Sequence, residues 1–269
     1  MSGIRMAKSP RAVERVEATG PRDFVQSLAK GLKVIAAFGR ERPALTLSEV
    51  AGLTGQSRAA ARRALLTLRE LGFVAAEGRR FRLTPKILDL GFSYLSSIDL
   101  SEAAYPFMRQ VSEATGESCS AAVLDGDDVV YVARVPARRI MSVSLGIGAK
   151  LPAAITSLGR VLLAALPDDG LEARLRAMPR RRFTAKTVTD PARLAAIIRQ
   201  AGRDGYALVD EELEIGLMSL AVPLTDRRGR TVAALNVSGQ AGRIRPEEVV
   251  TRYLPILRQA AKRISAAMA

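Results

Sequence analysis

The sequence predicts an α+β chain: an N-terminal winged helix-turn-helix, a linker helix, and a C-terminal α/β domain whose mostly antiparallel sheet is covered by helices. Three observations carry this. Residues 45–74, LTLSEVAGLTGQSRAAARRALLTLRELGFV, read as two short helices across a tight turn, and AAEGRRFRLTP comes next as a hairpin with basic residues at its tip. Strand-type and helix-type stretches then succeed one another to the end of the chain. At 269 residues and 48% hydrophobic composition, the chain has room for roughly two domains with real cores.

Residues 1–23 lack an apolar run and are expected to form a disordered, mildly basic tail. Residues 24–40 form the first helix, with Leu28, Leu32, Ile35 and Ala36 in register to support the helix-turn-helix. In the next helix Leu47, Val50 and Ala51 recur at helical spacing, and Ser48 with Glu49 supplies a polar first turn. Gly55 ends it, because glycine takes the left-handed conformation a tight exit requires. Ser57 is placed to cap the following helix, its hydroxyl accepting from an orphan amide. There Ala61, Leu65 and Leu68 share one face, extended by Leu71, while Arg58, Arg62 and Arg69 lie on another with Arg63 at its edge. One side packs and the other reaches phosphates and guanine edges, as a recognition helix must. Such helices read bases from their N-terminal residues. That makes Ser57, Arg58 and Arg62 the candidate readers, and Arg63 and Arg69 candidate backbone contacts.

Phe73 and Val74 begin a strand, Glu77-Gly78 is a turn signal, and residues 80–83 (RFRL) alternate with period two. Phe81 and Leu83 are expected to pack beneath, with Arg79, Arg80 and Arg82 facing phosphates and Pro85 stopping the strand. The winged domain thus runs over 24–85, and residues 86–98 form a linker helix whose Ile87, Leu90 and Tyr94 make a stripe suited to a second subunit.

The second domain, residues 99–269, opens with an amphipathic helix ending at Gly116. SCSAAVLDGDDVVYVARV is a hairpin turned at Asp125-Gly126. MSVSLGIG reads as a strand leading through a loop to the helix TSLGRVLLAAL. A helix over 191–203, a strand over 206–209, a hairpin turned at Arg228-Gly229, and a last helix from Pro246 complete it.

Charge follows the same division. Residues 1–97 hold 17 Lys and Arg against 8 Asp and Glu, so +9 of the total +14 lies there. That is the footprint of duplex binding, where neutralised phosphates release counterions. The alternative is a solvated arginine face in a chain rich in alanine and arginine throughout. It is the order helix, tight turn, helix, basic hairpin that favours DNA.

Composition excludes much else. With no histidine, a Ser-His-Asp or Cys-His catalytic site cannot be built within one chain, and neither can a histidine-held zinc. No catalytic residue, metal or cofactor is therefore expected. Lys150 and Lys186 sit in no Ser-Lys motif, and Gly146-Ile147-Gly148 is too short for a dinucleotide fingerprint. A single cysteine, Cys119, suits a reducing cytoplasm and is expected to pack in the sheet. No apolar run is long enough to span a membrane.

The layout resembles the IclR family of bacterial transcriptional regulators over residues 24–269. The motifs that carry the resemblance are LSEVAGLTGQSRAAARRALLTLRELGFV, DGDDVVYVARV, LPAAITSLGRVLLAAL, GYALVDEELEIGLMSLAVPL and VAALNVSG. DEELEIGLMSLAVPL and MSVSLGIGAKLPAAITSLGRVLLAAL are further similar to the branch regulating protocatechuate, p-hydroxybenzoate and β-ketoadipate catabolism. The resemblance implies a GAF-like effector domain, dimers or dimers of dimers, a palindromic duplex operator, and a small aromatic or carboxylic acid effector. It also implies an effector pocket lined by Thr156, Ser157 and Leu158, by the segment from Asp210 to Ser219, and by Asn236 to Ser238.

Those positions offer Ser157, Ser219, Asn236 and Ser238 as polar groups beside Leu158 and Leu217, a mixture able to hold a small acid. Arg134 is the candidate partner for its carboxylate, since a guanidinium binds one bidentately; the alternative is an ordinary surface residue. Asp210, Glu211 and Glu212 are expected mainly to cap helices or form salt bridges. Two other classes stand against a regulator. A GAF-like enzyme would lose turnover on substitution of Ser157, and an architectural DNA-binding protein would bind any duplex alike.

Overall fold

The computed structural model describes residues 24–268 except 40, 98–99, 138–144, 168–169, 180 and 244. The expected tail over 1–23 and the first half of the expected strand MSVSLGIG lie outside the described residues. The chain divides into two compact units that part between Phe92 and Ser93.

In the N-terminal unit, helices α1 (Gln26–Ala36), α2 (Leu47–Thr54) and α3 (Arg58–Glu70) pack with strands β1 (Ala44–Thr46), β2 (Val74–Glu77) and β3 (Arg80–Leu83). The sheet order is β1-β3-β2, antiparallel throughout. β1 was not anticipated: three residues give too little alternation to read, yet it pairs with β3 and makes the wing three-stranded. Ser48 and Glu49 lie in the first turn of α2, as expected, and Thr46 caps the helix. Thr46 Oγ1 accepts from Glu49 N at 3.3 Å, and the Thr46 N–H donates to Glu49 Oε2 at 2.7 Å. This is a reciprocal capping box. Gly55 ends α2 at φ 65°, and Ser57 Oγ accepts from Ala60 N at 3.2 Å to cap α3.

Two packing expectations do not hold. In α1 the buried residue is Val34, whereas Leu28 and Leu32 are 62% and 54% exposed. At about 100° per residue, Leu32 lies about 160° round the helix from Val34, so Leu28 and Leu32 face outward, while Ile35 packs against the core as expected. Leu71 is exposed as well. It is the C-cap of α3, and Gly72, at φ 81°, turns the chain away before Leu71 can join the seam. Ala61, Leu65 and Leu68 are buried with Val34, Leu45, Val50 and Val74 in one core.

Helix α4 (Ile87–Ser97) contains the division between the units. The C-terminal unit is built on one six-stranded antiparallel sheet of order β6-β5-β4-β9-β8-β7. Its strands are β4 (Ser118–Asp125), β5 (Asp128–Val135), β6 (Lys150–Pro152), β7 (Ala207–Asp210), β8 (Leu217–Thr225) and β9 (Thr231–Gln240). Residues 145–148, where a strand was expected, form coil and a turn, and the edge strand comes later as β6. Helices α5 (Leu100–Thr115) and α9 (Pro246–Ala267) cover one face with Met108, Val111, Leu257 and Ile264. Helices α6 (Ser157–Ala164), α7 (Leu171–Ala177) and α8 (Pro191–Asp204) cover the other with Leu158, Leu163, Leu175 and Ile198. Strand alternation feeds both cores. Cys119, Ala121, Leu220, Leu235 and Val237 point to α5 and α9, while Ala122, Ala221 and Ala234 point to α6. The alanines let α6 lie close to the sheet. Gly159 does the same on the helix side, since a Cβ there would collide with the backbone of Ala153. Among the described residues no helix is long and apolar enough to cross a membrane.

Candidate functional site

Each unit carries one candidate surface. In the N-terminal unit it is α3 with the wing. Arg58, Arg62, Arg63 and Arg69 are all exposed and engage no carboxylate among the described residues. Counting about 100° per residue, Arg58, Arg62 and Arg69 cluster along one flank of the buried seam, and Arg63 lies farthest from it. The arginine face therefore adjoins the seam instead of opposing it. Ser57 heads the same helix with its hydroxyl oxygen already accepting the cap bond, which leaves the hydroxyl proton to donate.

On the wing, Phe81 and Leu83 are half-buried while Arg80 and Arg82 are exposed, as period-two alternation requires. Gly78 turns the hairpin at φ 59° and Arg79 stands exposed beside it. Two of the three wing arginines have local partners. Arg80 Nη1 donates to the Ala44 carbonyl at 3.3 Å, and Arg82 pairs with Glu77 at 2.6 Å. Both partners are exposed, so these are weak tethers that a phosphate can displace.

In the C-terminal unit a cavity of about 620 Å³ opens where the α6-facing side of the sheet runs beyond the N-terminus of α6. That size is typical of a small-molecule site. Under the helix this face is alanine; past the helix it becomes polar. Ser118, Ser238 and Ser219 sit side by side on β4, β9 and β8 in one register row. Arg134, Ser120, Asn236 and Ala221 form the next row, across β5, β4, β9 and β8. Arg134 Nη1 donates to Ser120 Oγ at 3.3 Å, aiming the guanidinium across the sheet floor.

The roof is made of two pieces. One is the start of α6, where Ile155, Thr156 and Ser157 line the cavity and Thr156 Oγ1 caps the helix by accepting from Gly159 N at 3.1 Å. The other is the loop before β8, whose Leu213, Glu214, Ile215 and Gly216 line the opposite side with Leu217. Tyr131, Leu145 and Leu151 add an apolar wall. Burial raises the Tyr131 phenol above its ordinary pKa, with Arg134 opposing the shift, so the ring stays neutral. Ser157 Oγ and Asn236 Oδ1 are buried and hydrogen-bond to no described residue. Buried polar atoms of this kind cost free energy until a partner meets them.

Of the nine effector positions expected from the sequence, Arg134, Thr156, Ser157, Leu217, Ser219, Asn236 and Ser238 line the cavity. Two do not. Leu158 is fully buried in the core beneath α6, one step of about 100° round the helix from Ser157. Asp210 points outward to Lys186 Nζ at 2.6 Å, the salt-bridging role that was the main expectation for it. Glu211 likewise pairs with Lys186, accepts from Gly216 N at 2.7 Å, and has its carboxyl held below the usual range, chiefly by Lys186 and then by Gly216. Sequence reasoning missed Tyr131, Leu145, Leu151 and Ile155, whose apolar character does not distinguish a cavity wall from a core. Cys119 is fully buried on the α5 and α9 face, away from the cavity, and burial pushes its thiol pKa far up.

Comparison with known proteins adds to this geometry. The profile of the IclR helix-turn-helix domain matches residues 27–78, and that of the bacterial transcriptional regulator IclR C-terminal domain matches residues 92–266. The Pca regulon regulatory protein of Pseudomonas putida is 43% identical over 251 residues, covering 93% of this chain and 86% of that protein. The p-hydroxybenzoate hydroxylase transcriptional activator of Acinetobacter baylyi is 36% identical over 247 residues, covering 90% and 91%. The crystal structure of an IclR homolog from Microbacterium hydrocarbonoxydans, complexed with 4-hydroxybenzoate, superposes with a TM-score of 0.81 at 25% identity, covering 90% of this chain and 99% of that one.

Proposed function

The chain belongs to the IclR family of bacterial transcriptional regulators, and from that premise we propose that it controls genes of aromatic-acid catabolism in response to a small aromatic or carboxylic acid held in its C-terminal cavity. The observation that carries this reading is the cavity: about 620 Å³, floored by serines, Asn236 and Arg134, in a chain similar to one that binds 4-hydroxybenzoate. Arg134 supplies the charge for a carboxylate, and Ser157 and Asn236 supply buried polar atoms for the ring substituents. The apolar wall of Tyr131, Leu145 and Leu151 takes the ring itself.

On the DNA side, Ser57, Arg58 and Arg62 read base edges, while Arg63, Arg69, Arg79, Arg80 and Arg82 contact phosphates. The protein works as a dimer or a dimer of dimers on a palindromic operator in the cytoplasm. The exposed apolar residues of α1 (Leu28, Leu32) and α4 (Leu90, Tyr94) support association, because stripes of that kind are seldom left to solvent. The effector acts by binding one arrangement of the subunits better than another, and shifts the equilibrium by no more than that difference. The protein is a regulator and not an enzyme.

A thermal-shift screen of the purified chain against 4-hydroxybenzoate, 3,4-dihydroxybenzoate, β-ketoadipate and close analogues tests the effector. At a hundredfold excess over Kd a ligand stabilises the native state by about 2.7 kcal/mol. For a unit of this size that is a shift of roughly 5–10 °C. Melting temperatures unmoved by every acid at millimolar concentration would refute the reading.

A further inference from the structure

A buried ion pair sits behind the cavity roof, and neither of its members lines the cavity. The side chains of Arg160 and Glu212 are 2% and 9% exposed. The guanidinium forks onto the carboxylate, Nη1 to Oε1 and Nη2 to Oε2, both at 2.8 Å, and its Nε donates to the Ala154 carbonyl at 3.0 Å. Glu212 Oε2 also accepts from the Val188 N–H at 3.1 Å. Thr187 Oγ1 donates to the Glu212 carbonyl, and Thr184 Oγ1 to the Glu211 carbonyl, each at 2.6 Å. Three separate stretches, the first turn of α6, residues 183–188 and residues 211–212, are tied together at one dry point.

That point lies between the two pieces of the roof. Arg160 stands three residues, just under a full turn, beyond Ser157, and Glu212 directly precedes Leu213. The second piece has little packing of its own. Ile215 is 79% exposed, and Glu211 opens the loop in the left-handed region at φ 56°, a conformation unfavourable for a residue with a Cβ. Net stability is a poor reason for the pair, since burying two charges costs about as much as their attraction returns. A bidentate fork, however, fixes distance and direction in a way an apolar contact does not.

Resting on the reading of the cavity as the effector site, we infer that Arg160 and Glu212 are positioning residues. They set the gap between the α6 N-terminus and the 213–217 wall, and thereby the affinity for the cavity ligand, without touching it.

Four variants separate this from a merely structural role: Arg160→Met, Arg160→Lys, the neutral double variant Arg160→Met/Glu212→Leu, and Arg230→Met as a control. Arg230 pairs with Asp226 at 2.7 Å in the β8–β9 turn, at the opposite end of β8 from Leu217. Calorimetric titration with 4-hydroxybenzoate and hydrogen exchange of the 213–217 amides are the two readouts. Arg160→Met is expected to lose at least tenfold in affinity and to exchange faster over 213–217, and Arg160→Lys to recover part of both. The double variant regains thermal stability while affinity stays low, and the control changes neither readout. Wild-type affinity and exchange in a cooperatively folded Arg160→Met overturn the inference, as does affinity restored in the double variant, which makes the role purely electrostatic. If Arg160→Met fails to fold, Arg160→Lys and the double variant decide on the same readouts. If the wild type binds no aromatic acid, the effector reading fails by itself, and exchange over 213–217 in Arg160→Lys still decides the inference.

Discussion

Replacing Gly159 with alanine should damage the C-terminal unit, while the same replacement at Gly202 should stabilise it. Both are helical glycines of the same unit, in α6 and α8. An added Cβ at Gly159 meets backbone atoms of Ala153 inside contact distance, and backbone cannot swing aside as a side chain does. At Gly202 it meets the Ala164 Cβ at 3.4 Å, an ordinary contact. Each substitution gains up to about 1 kcal/mol of helix propensity. Against that, overpacking at Gly159 costs about 3 kcal/mol, the upper end for strained cores, because α6 must lift off the turn before it. The net is a loss of about 2 kcal/mol, or roughly 4–8 °C in Tm, against a gain of up to about 1 kcal/mol for Gly202→Ala. Since Ile155 and Thr156 belong to the displaced turn, Gly159→Ala should also weaken ligand binding, and Gly202→Ala should not. Urea denaturation followed by circular dichroism gives both values from the midpoints at constant slope. A Gly159→Ala midpoint equal to or above that of the wild type would show that α6 does not lie against Ala153 as described.

Arg62→Ala should cost roughly 1–3 kcal/mol on the cognate operator if Arg62 reads a base, with a smaller loss on unrelated duplexes; a uniform loss in anisotropy titrations would make it a phosphate contact. Thr46→Ala removes the capping box and should destabilise the N-terminal unit by about 1 kcal/mol, measurable by differential scanning calorimetry. The cap also predicts a pH dependence. Hydrogen bonds from Thr46 hold the Glu49 carboxyl below its ordinary pKa, so its contribution is present above the unfolded value and fades as pH falls through the folded one. That acid-side slope should shrink in Thr46→Ala. Cys119, fully buried and held as a thiol, should resist iodoacetamide in the native protein and react only in denaturant; modification under native conditions would contradict its placement.

Much of this molecule was legible because its signals are local. Gly55 at a helix end, Ser57 at the next helix start, and the alternation of Arg80, Phe81, Arg82 and Leu83 each depend on neighbours a few residues away. The polar floor came from the resemblance, which carried over Ser219, Asn236 and Ser238, positions where polar residues stand within largely apolar strands. Non-local facts were not readable. Arg160 looks like any charged helix residue, yet its partner lies 52 positions away and both are buried. Leu28 and Leu32 satisfy helical periodicity, but periodicity names a stripe without saying whether the same chain covers it. The resemblance to known regulators pointed to the α6 start, but carrying over a whole segment could not distinguish Ser157, facing the cavity, from Leu158, facing the core.

Duplex affinity measured with and without the cavity ligand bears most directly on function, because a regulator must couple its two sites and the coupling must be reciprocal. Anisotropy titrations on a palindromic fragment from the neighbouring intergenic region, at two salt concentrations, with and without saturating 4-hydroxybenzoate or 3,4-dihydroxybenzoate, are expected to show sequence-selective, salt-sensitive binding. The acid should change that binding by about 5–150-fold, and the operator should change the affinity for the acid by the same factor. An acid that binds the cavity yet leaves operator affinity unchanged, or duplex binding that ignores sequence, would contradict it.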